Sequence, residues 1–264
     1  MTDSVYSIAG LNNLPEAERL DYARLMIPLP LLQRYQIDAK SFADGEGRSL
    51  LNWVGGPGRN DVEVSLYHQY GAPDPLIYFH LTDTTSMQIH VLLTVINDPD
   101  SPRFDVDRMP DGSKTHFGIF KRNVEAEVEA FKAGLAPGQI RRGLRVLRPA
   151  MEAFEAFVTR LGHDIYFVEP LQYHNAVIFE RYGFAYQQGR RWMQSINTRF
   201  TEGSFAHARL DSSTIFRRPE AAQSIRGRSW AIHDGILGEP YTGVTMYKRV
   251  GRDAGVSTYP ESVW

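Results

Sequence analysis

The stretch at 173–186, YHNAVIFERYGFAY, decides how the rest of the chain is read. It is a helix pattern with one Asn near its start. It stops on Gly183 and passes into an aromatic-rich strand. Alone, this is a helix-to-strand connection packed on a core. With suitable elements before it, the same order walls one side of a cofactor cleft. DIYFVEP (164–170) precedes it and reads as an interior strand, apolar nearly throughout. Before that strand, Ile140, Leu144, Leu147, Met151, Phe154, Val158 and Leu161 recur at three- and four-residue steps. That spacing predicts a long amphipathic helix ending at Gly162. Pro149 lies inside it, so the helix kinks there or a fresh one starts with Pro149 in its first turn.

Further upstream, Asn13 followed by Leu14, Pro15 and Glu16 opens a helix over 15–27, and LLQRYQI (31–37) is a second helical piece. GEG (45–47) and GGPG (55–58) are loop signals around a short apolar SLLNWV. Those glycines follow no clear strand and open no helix, which argues against a dinucleotide fingerprint. From 61 the period becomes two: VEVSLYH (62–68), PLIYFHLT (75–82) and MQIHVLLTVI (87–96) read as three strands. Their short turns imply antiparallel neighbours, with His80 and His90 on a sheet face. A polar loop covers 97–114, with FDVD as a short strand within it. Asp105, Asp107 and Asp111 invite a calcium-loop reading, but Met109 and Pro110 occupy a ligand position and the sharp-turn position. NVEAEVEAFKAG (123–134) is an amphipathic helix. Downstream, FAYQQGRRWMQSI (184–196) reads as a hairpin turning near Gly189, and SWAIHDGIL (229–237) and GVTMYKRV (243–250) read as strands. RRPEAAQSIRGR is a helix with a basic loop, and the last dozen residues are a tail.

Composition narrows the chemistry. There is no cysteine, which removes disulfides, thiolate metal sites, iron–sulfur clusters and a Cys nucleophile. A net charge of −2 gives no basic field for a polyanion, so no nucleic-acid partner is expected. The longest apolar run, HVLLTVI (90–96), is far below the ~20 residues of a membrane span, and no secretory signal is visible. The expectation is a cytoplasmic protein without membrane partners. Walker-type Gly-rich loops, His-Glu-x-x-His and Gly-x-Ser-x-Gly are missing, which lowers nucleotide hydrolysis, zinc peptidase and serine hydrolase readings.

The order from 61 to 196 resembles the GNAT superfamily of acyl-CoA-dependent N-acyltransferases. FERYGF (179–184) fits the end of that family's helix after the buried strand, and PGQIRRGL (137–144) fits its Gly- and Arg-rich turn in part. The resemblance covers roughly half the chain. It implies an α/β (α+β) fold with a mixed, mostly antiparallel sheet flanked by helices. An N-terminal helical segment (1–60), a core (61–200) and a C-terminal extension (201–264) would pack as one unit. It further implies an acyl-CoA, such as acetyl-CoA, as co-substrate and a small-molecule amine as acceptor, with the oligomeric state open and a homodimer among the options.

A helix start offers unpaired N–H groups to a diphosphate. By the resemblance, Gln139, Ile140, Arg141, Arg142, Gly143 and Leu144 would hold the cofactor, and Asn175 would touch its pantetheine arm. Glu169, if burial raised its pKa, would be the general base. The place of a thiolate-protonating Tyr is Phe179, leaving Tyr173 and Tyr182 as substitutes. Ile140 and Arg145 depart from the family's Gln/Arg and Gly/Ala. The alternative is therefore a catalytically inactive member that binds ligands or partners. A third reading, with a charged tRNA as carrier, is disfavoured by the near-neutral charge. His233–Asp234 reads as structural, and no metal site is expected.

Overall fold

A computed structural model describes residues 5–116, 118 and 121–264. It is mixed α/β, with eight α-helices and seven mostly antiparallel strands among the described residues. In chain order these are α1 (Ile8–Asn12), α2 (Glu16–Met26), α3 (Leu29–Arg34), β1 (Leu51–Val54), β2 (Asp61–Leu66), β3 (Ile77–Asp83) and β4 (Ile89–Ile96). There follow α4 (Val124–Lys132), α5 (Leu147–Arg160), β5 (Ile165–Val168), α6 (Tyr173–Arg181), β6 (Ala185–Gln188), α7 (Arg190–Arg199), α8 (Ile225–His233) and β7 (Thr245–Arg249). The strand order is β1-β2-β3-β4-β5-β7-β6. By internal packing the chain divides into two compact units. The first holds 1–100, 143–169 and 247–252, and the second holds 101–142, 170–246 and 253–264.

In the first unit β1 to β4 form an antiparallel meander, with Leu51 opposite Leu66, Val64 opposite Phe79 and Phe79 opposite Thr94. Alternation sends Val62, Val64, Leu66, Ile77, Phe79 and Leu81 to one face, where all are buried. Aromatic contacts seal α5 onto that face. Phe154 stacks on Phe79 at 5.5 Å and meets Tyr166 edge-on at 5.2 Å, while Phe157 meets Tyr22 of α2 at 6.4 Å. α1 is tied down by polar groups. Asp83 accepts the backbone N–H groups of Ile8 and Ala9 at 2.7 and 2.9 Å, and the Asn12 amide donates to Arg59 O and Asp61 O. A Cβ at Gly55 would lie 2.3 Å from Asn12 Oδ1, so only glycine fits there.

The second unit has its own core. Trp230 is fully buried, stacks on Phe216 at 4.8 Å, meets Phe131 at 5.9 Å and donates its indole N–H to Leu135 O at 2.8 Å.

Several elements differ from the sequence reading. SWAIHDGIL is not a strand: α8 runs over Ile225–His233, capped by Ser224 Oγ on Gly227 N. It is buried on nearly all sides, so its apolar residues show no helical stripe. The predicted hairpin after Gly183 is β6 followed by α7. Gly189 does turn the chain, at φ 92°, but Met193, Ile196 and Phe200 then bury one helical face. The helix predicted from Ile140 starts at Leu147, with Pro149 in its first turn; Ile140 belongs to the Trp230 cluster. SLLNWV contains an unpredicted strand, β1, and FDVD is not a strand. The predicted tail is packed: Thr258 and Tyr259 are buried, and Ile225 N donates to Val263 O at 2.8 Å.

Candidate functional site

The feature that stands out lies in the first unit, where two parallel strands part. β4 pairs with β3 along its whole length, but the register shifts between His80 and Leu81, so that Leu92 is one extra residue on β4. Such a bulge bends its strand. β5 pairs with β4 in parallel only across Ile89–Val91, opposite Tyr166–Val168. Glu169 N still reaches Val91 O at 3.3 Å, and pairing ends there. The remainder of β4, Leu92–Ile96, therefore has no partner on β5.

The start of α5 stands at the far end of this opening. A Cβ on Gly143 would sit 3.6 Å from Ile96 O, an ordinary contact, so the chain passes close to the end of β4. The backbone N–H groups of Leu144 to Leu147 have no hydrogen-bond partner among the described residues, and Val146 at the N-cap offers no capping side chain. With the positive end of the helix dipole behind them, these amides can receive an anion. Arg145 adopts φ 58°, a left-handed conformation that glycine tolerates better.

The sheet face opposite the α5-covered core is polar. Glu63 lies opposite His80, Asp61 opposite Thr82, and Thr82 opposite His90, so all these side chains share one face. Glu63 Oε2 accepts from Tyr78 OH at 2.8 Å; burial and that carboxylate push the phenol well above its ordinary pKa. His80 Nε2 is 3.6 Å from Asp61 Oδ2. His90 differs from its neighbours: its Nε2 is buried and has no hydrogen-bond partner among the described residues. Burial holds this imidazole below its ordinary pKa, against the opposite pull of the Glu169 carboxylate. It is thus neutral near pH 7, with a ring nitrogen free, two residues before the bulge at Leu92.

The residues expected from sequence divide between the units. Gly143, Leu144 and Glu169 belong to the first. Glu169 is exposed, so the burial that a base role required of it is missing. Gln139, Ile140, Arg141, Arg142, Tyr173, Asn175 and Tyr182 belong to the second. There Gln139 Oε1 accepts from Ala136 N at 2.7 Å, Arg141 donates to Ser101 O, and Arg142 bonds Ser101 Oγ through its backbone N–H and Ala133 O through its guanidinium. The amides just after Gln139 do not begin a helix; the helix start lies farther on, at Leu147. Tyr173 is fully buried, burial pushes its hydroxyl up to about 12, and its OH has no partner at bonding geometry among the described residues. Asn175 and Tyr182 are half-buried, near the start and at the end of α6.

His233 and Asp234 are structural. His233 Nε2 lies 2.8 Å from Glu127 Oε1, Arg122 bonds both Glu127 and Asp234, and Arg217 and Thr214 close on the other Asp234 oxygen. Burial alone would raise the Glu127 carboxyl, but His233 and Arg122 hold it low. Sequence reasoning gives His90 no role; the signal is an imidazole between Ile89 and Val91 in a strand whose one other polar residue is Thr94. Compared with known proteins, the chain matches no family model, no curated protein and no solved structure.

Proposed function

We propose that the chain is an N-acyltransferase of the GNAT kind, moving an acyl group from acyl-CoA to an amine. The observation that carries the reading is the parting of β4 from β5 with the uncapped start of α5 at its open end. The unpaired side of Leu92–Ile96 can bond to an extended, amide-bearing arm as an added strand would. The free amides of Leu144–Leu147 suit the diphosphate at the other end of that arm. The strand order, with its meander, parallel β4–β5 pair and FERYGF helix, gives further support.

His90 replaces Glu169 as the base in this reading. The amine nitrogen attacks the thioester carbonyl carbon, the new C–N bond forms, and His90 takes the proton that nitrogen loses. A backbone N–H beside the bulge stabilises the developing oxyanion. The C–S bond then breaks, and CoA leaves as a thiolate that water protonates.

The rival is a protein of the same shape that binds the coenzyme without turning it over. Phe179, which has no proton to give a departing thiolate, favours it. Thermal melting with acetyl-CoA, longer acyl-CoAs and free CoA tests both. A ligand at a hundred times its dissociation constant stabilises the native state by ~2.7 kcal/mol. A shift with release of free thiol across a panel of amines supports the transferase. A shift without release supports the rival, and no shift with any of the three overturns both.

A further inference from the structure

A second cleft in the first unit has chemistry of its own and does not depend on acyl transfer. It has a volume of about 300 Å³ and lies where β1 and β2 run out of pairing, between residues 49–52 and 67–72. That volume is at the lower end of ligand sites, enough for one small ring system. None of its lining residues carries a charge. A charged ligand would lose hydration there with nothing opposite to replace it.

Ser49 Oγ donates to Leu51 O at 3.1 Å, but the other polar side chains that line the cleft are uncommitted. The side-chain amides of Asn52 and Gln69 and the hydroxyl of Tyr67 make no hydrogen bond with any described residue. Each amide presents a donor and an acceptor side by side, which matches a ring edge carrying the complementary pair. Tyr70 supplies an apolar plane. It is 64% exposed, and the Arg48 guanidinium lies 5.2 Å from the ring centroid and braces it. The turn behind Tyr70 is closed by Ala72 N on Gln69 O at 3.3 Å and needs Gly71 at φ 75°. A tyrosine braced from behind by Arg48, beside free amides and with no charged residue in the lining itself, is suited to stacking one face of a planar ring while its edge is read.

The structure assigns to this cleft the binding of a neutral, planar heterocycle with adjacent hydrogen-bond donor and acceptor, of the nucleobase type. The test is calorimetric titration of the full chain with adenosine and cytidine, with glucose (no planar ring) and benzyl alcohol (no donor–acceptor edge) as comparisons. At least one nucleoside is expected to bind, with both comparison compounds at least about tenfold weaker. Asn52→Ala and Tyr70→Ala are each expected to weaken the nucleoside about tenfold, since an edge contact or a stacked ring is worth about that much. Both side chains are exposed, so melting temperatures should stay level; Gln69→Ala serves if either variant melts lower. No binding of either nucleoside overturns the assignment. So does affinity unchanged in the variants, because the nucleoside then sits elsewhere, including any coenzyme adenine site. Equal binding of glucose or benzyl alcohol overturns the chemistry proposed.

Discussion

The two units differ most in their charged and ligand-facing groups, although Tyr173 OH in the second lacks a partner among the described residues and Asp83 and Asn12 in the first are fully bonded. In the second, buried charge is saturated. Glu180 is 5% exposed, and its oxygens accept from Tyr186 OH, Thr258 Oγ1 and Thr258 N. Arg228 is buried among Phe200 and Tyr259 rings and donates to Ala222 O and Asn197 Oδ1. Glu127, Asp234, Arg122, Arg217 and His233 satisfy one another. In the first unit, by contrast, His90 Nε2, the amides ahead of α5 and the β5-facing side of β4 from Leu92 to Ile96 have no partner among the described residues. Groups already bonded hold a chain together; groups left open are available to something else. Changes in the second unit should therefore cost stability, and changes in the first should cost ligand binding or rate.

Glu180→Ala tests the first half of that contrast most severely. It leaves the Tyr186 hydroxyl and the two Thr258 donors without their acceptor, and at about 1–3 kcal/mol for each unsatisfied buried donor the loss should come to about 3–5 kcal/mol. Urea unfolding should register a loss of that size. A loss under 1 kcal/mol would mean the carboxylate does little to hold the C-terminal segment.

The same unit should respond to acid through His174. This imidazole is enclosed, with Nδ1 2.9 Å from Ser229 Oγ, and burial pushes it down from 6.5 to about 3. The unfolded chain then binds a proton that the folded chain refuses, so stability is complete above pH 6.5 and is lost as pH falls toward 3. The slope is about 1.4 kcal/mol per pH unit inside that window. His174→Asn, which keeps a polar atom near Nδ1, should flatten the slope between pH 6.5 and 4.5 relative to the parent. Equal slopes would show that His174 takes up its proton while folded.

How much of this was legible follows from the same physics. β2 to β4 and α4 are readable because each has a wet side and a dry side, which leaves a period in the sequence, while β5 shows as a short apolar run and α6 by its stop at Gly183. α8 has almost no wet side, and even Arg228 and Ser229 are buried, so its period is erased. β1 is only four residues long, too short for alternation to register. Ile140 and Leu144 fall on the α5 stripe by spacing, yet both are buried in the segment before the helix starts. The site was harder. Asn175, Tyr173 and Glu169 follow from a motif, but the parting of β4 from β5 depends on one extra residue, Leu92, inside an apolar run. A bulge made by a leucine among leucines and valines leaves no mark in the sequence. His90 was visible as a polar residue on a strand, but its missing partner could be recognised only in three dimensions.

For the first unit, His90→Gln is the sharper test. Glutamine keeps a polar side chain on the same face but cannot take a proton, so the proposed transfer should slow by about 100-fold, the lower range for a lost general base. Melting temperature and acyl-CoA affinity should hold. The parent rate should also rise with pH through a group titrating below the ordinary histidine value, and that limb should vanish in the variant. An unchanged rate would return the base role to Glu169 or to water.

The smallest effect expected is at Arg145, where the two themes meet. A non-glycine residue at φ 58° costs on the order of 1 kcal/mol, and glycine removes that strain while adding its own unfolded-state entropy. Arg145→Gly should therefore shift unfolding stability by less than about 1 kcal/mol in either direction. The coenzyme affinity of this variant carries the information. If the arginine contributes charge to a bound diphosphate, affinity falls and the fall shrinks with added salt. If its side chain stands in the path of the anion to the amides before α5, affinity rises. A change of either sign ties the open helix start to an anion. Unchanged affinity, beside a normal response to acyl-CoA elsewhere, would detach this corner of the first unit from coenzyme binding and leave its free amides as an ordinary solvated helix end.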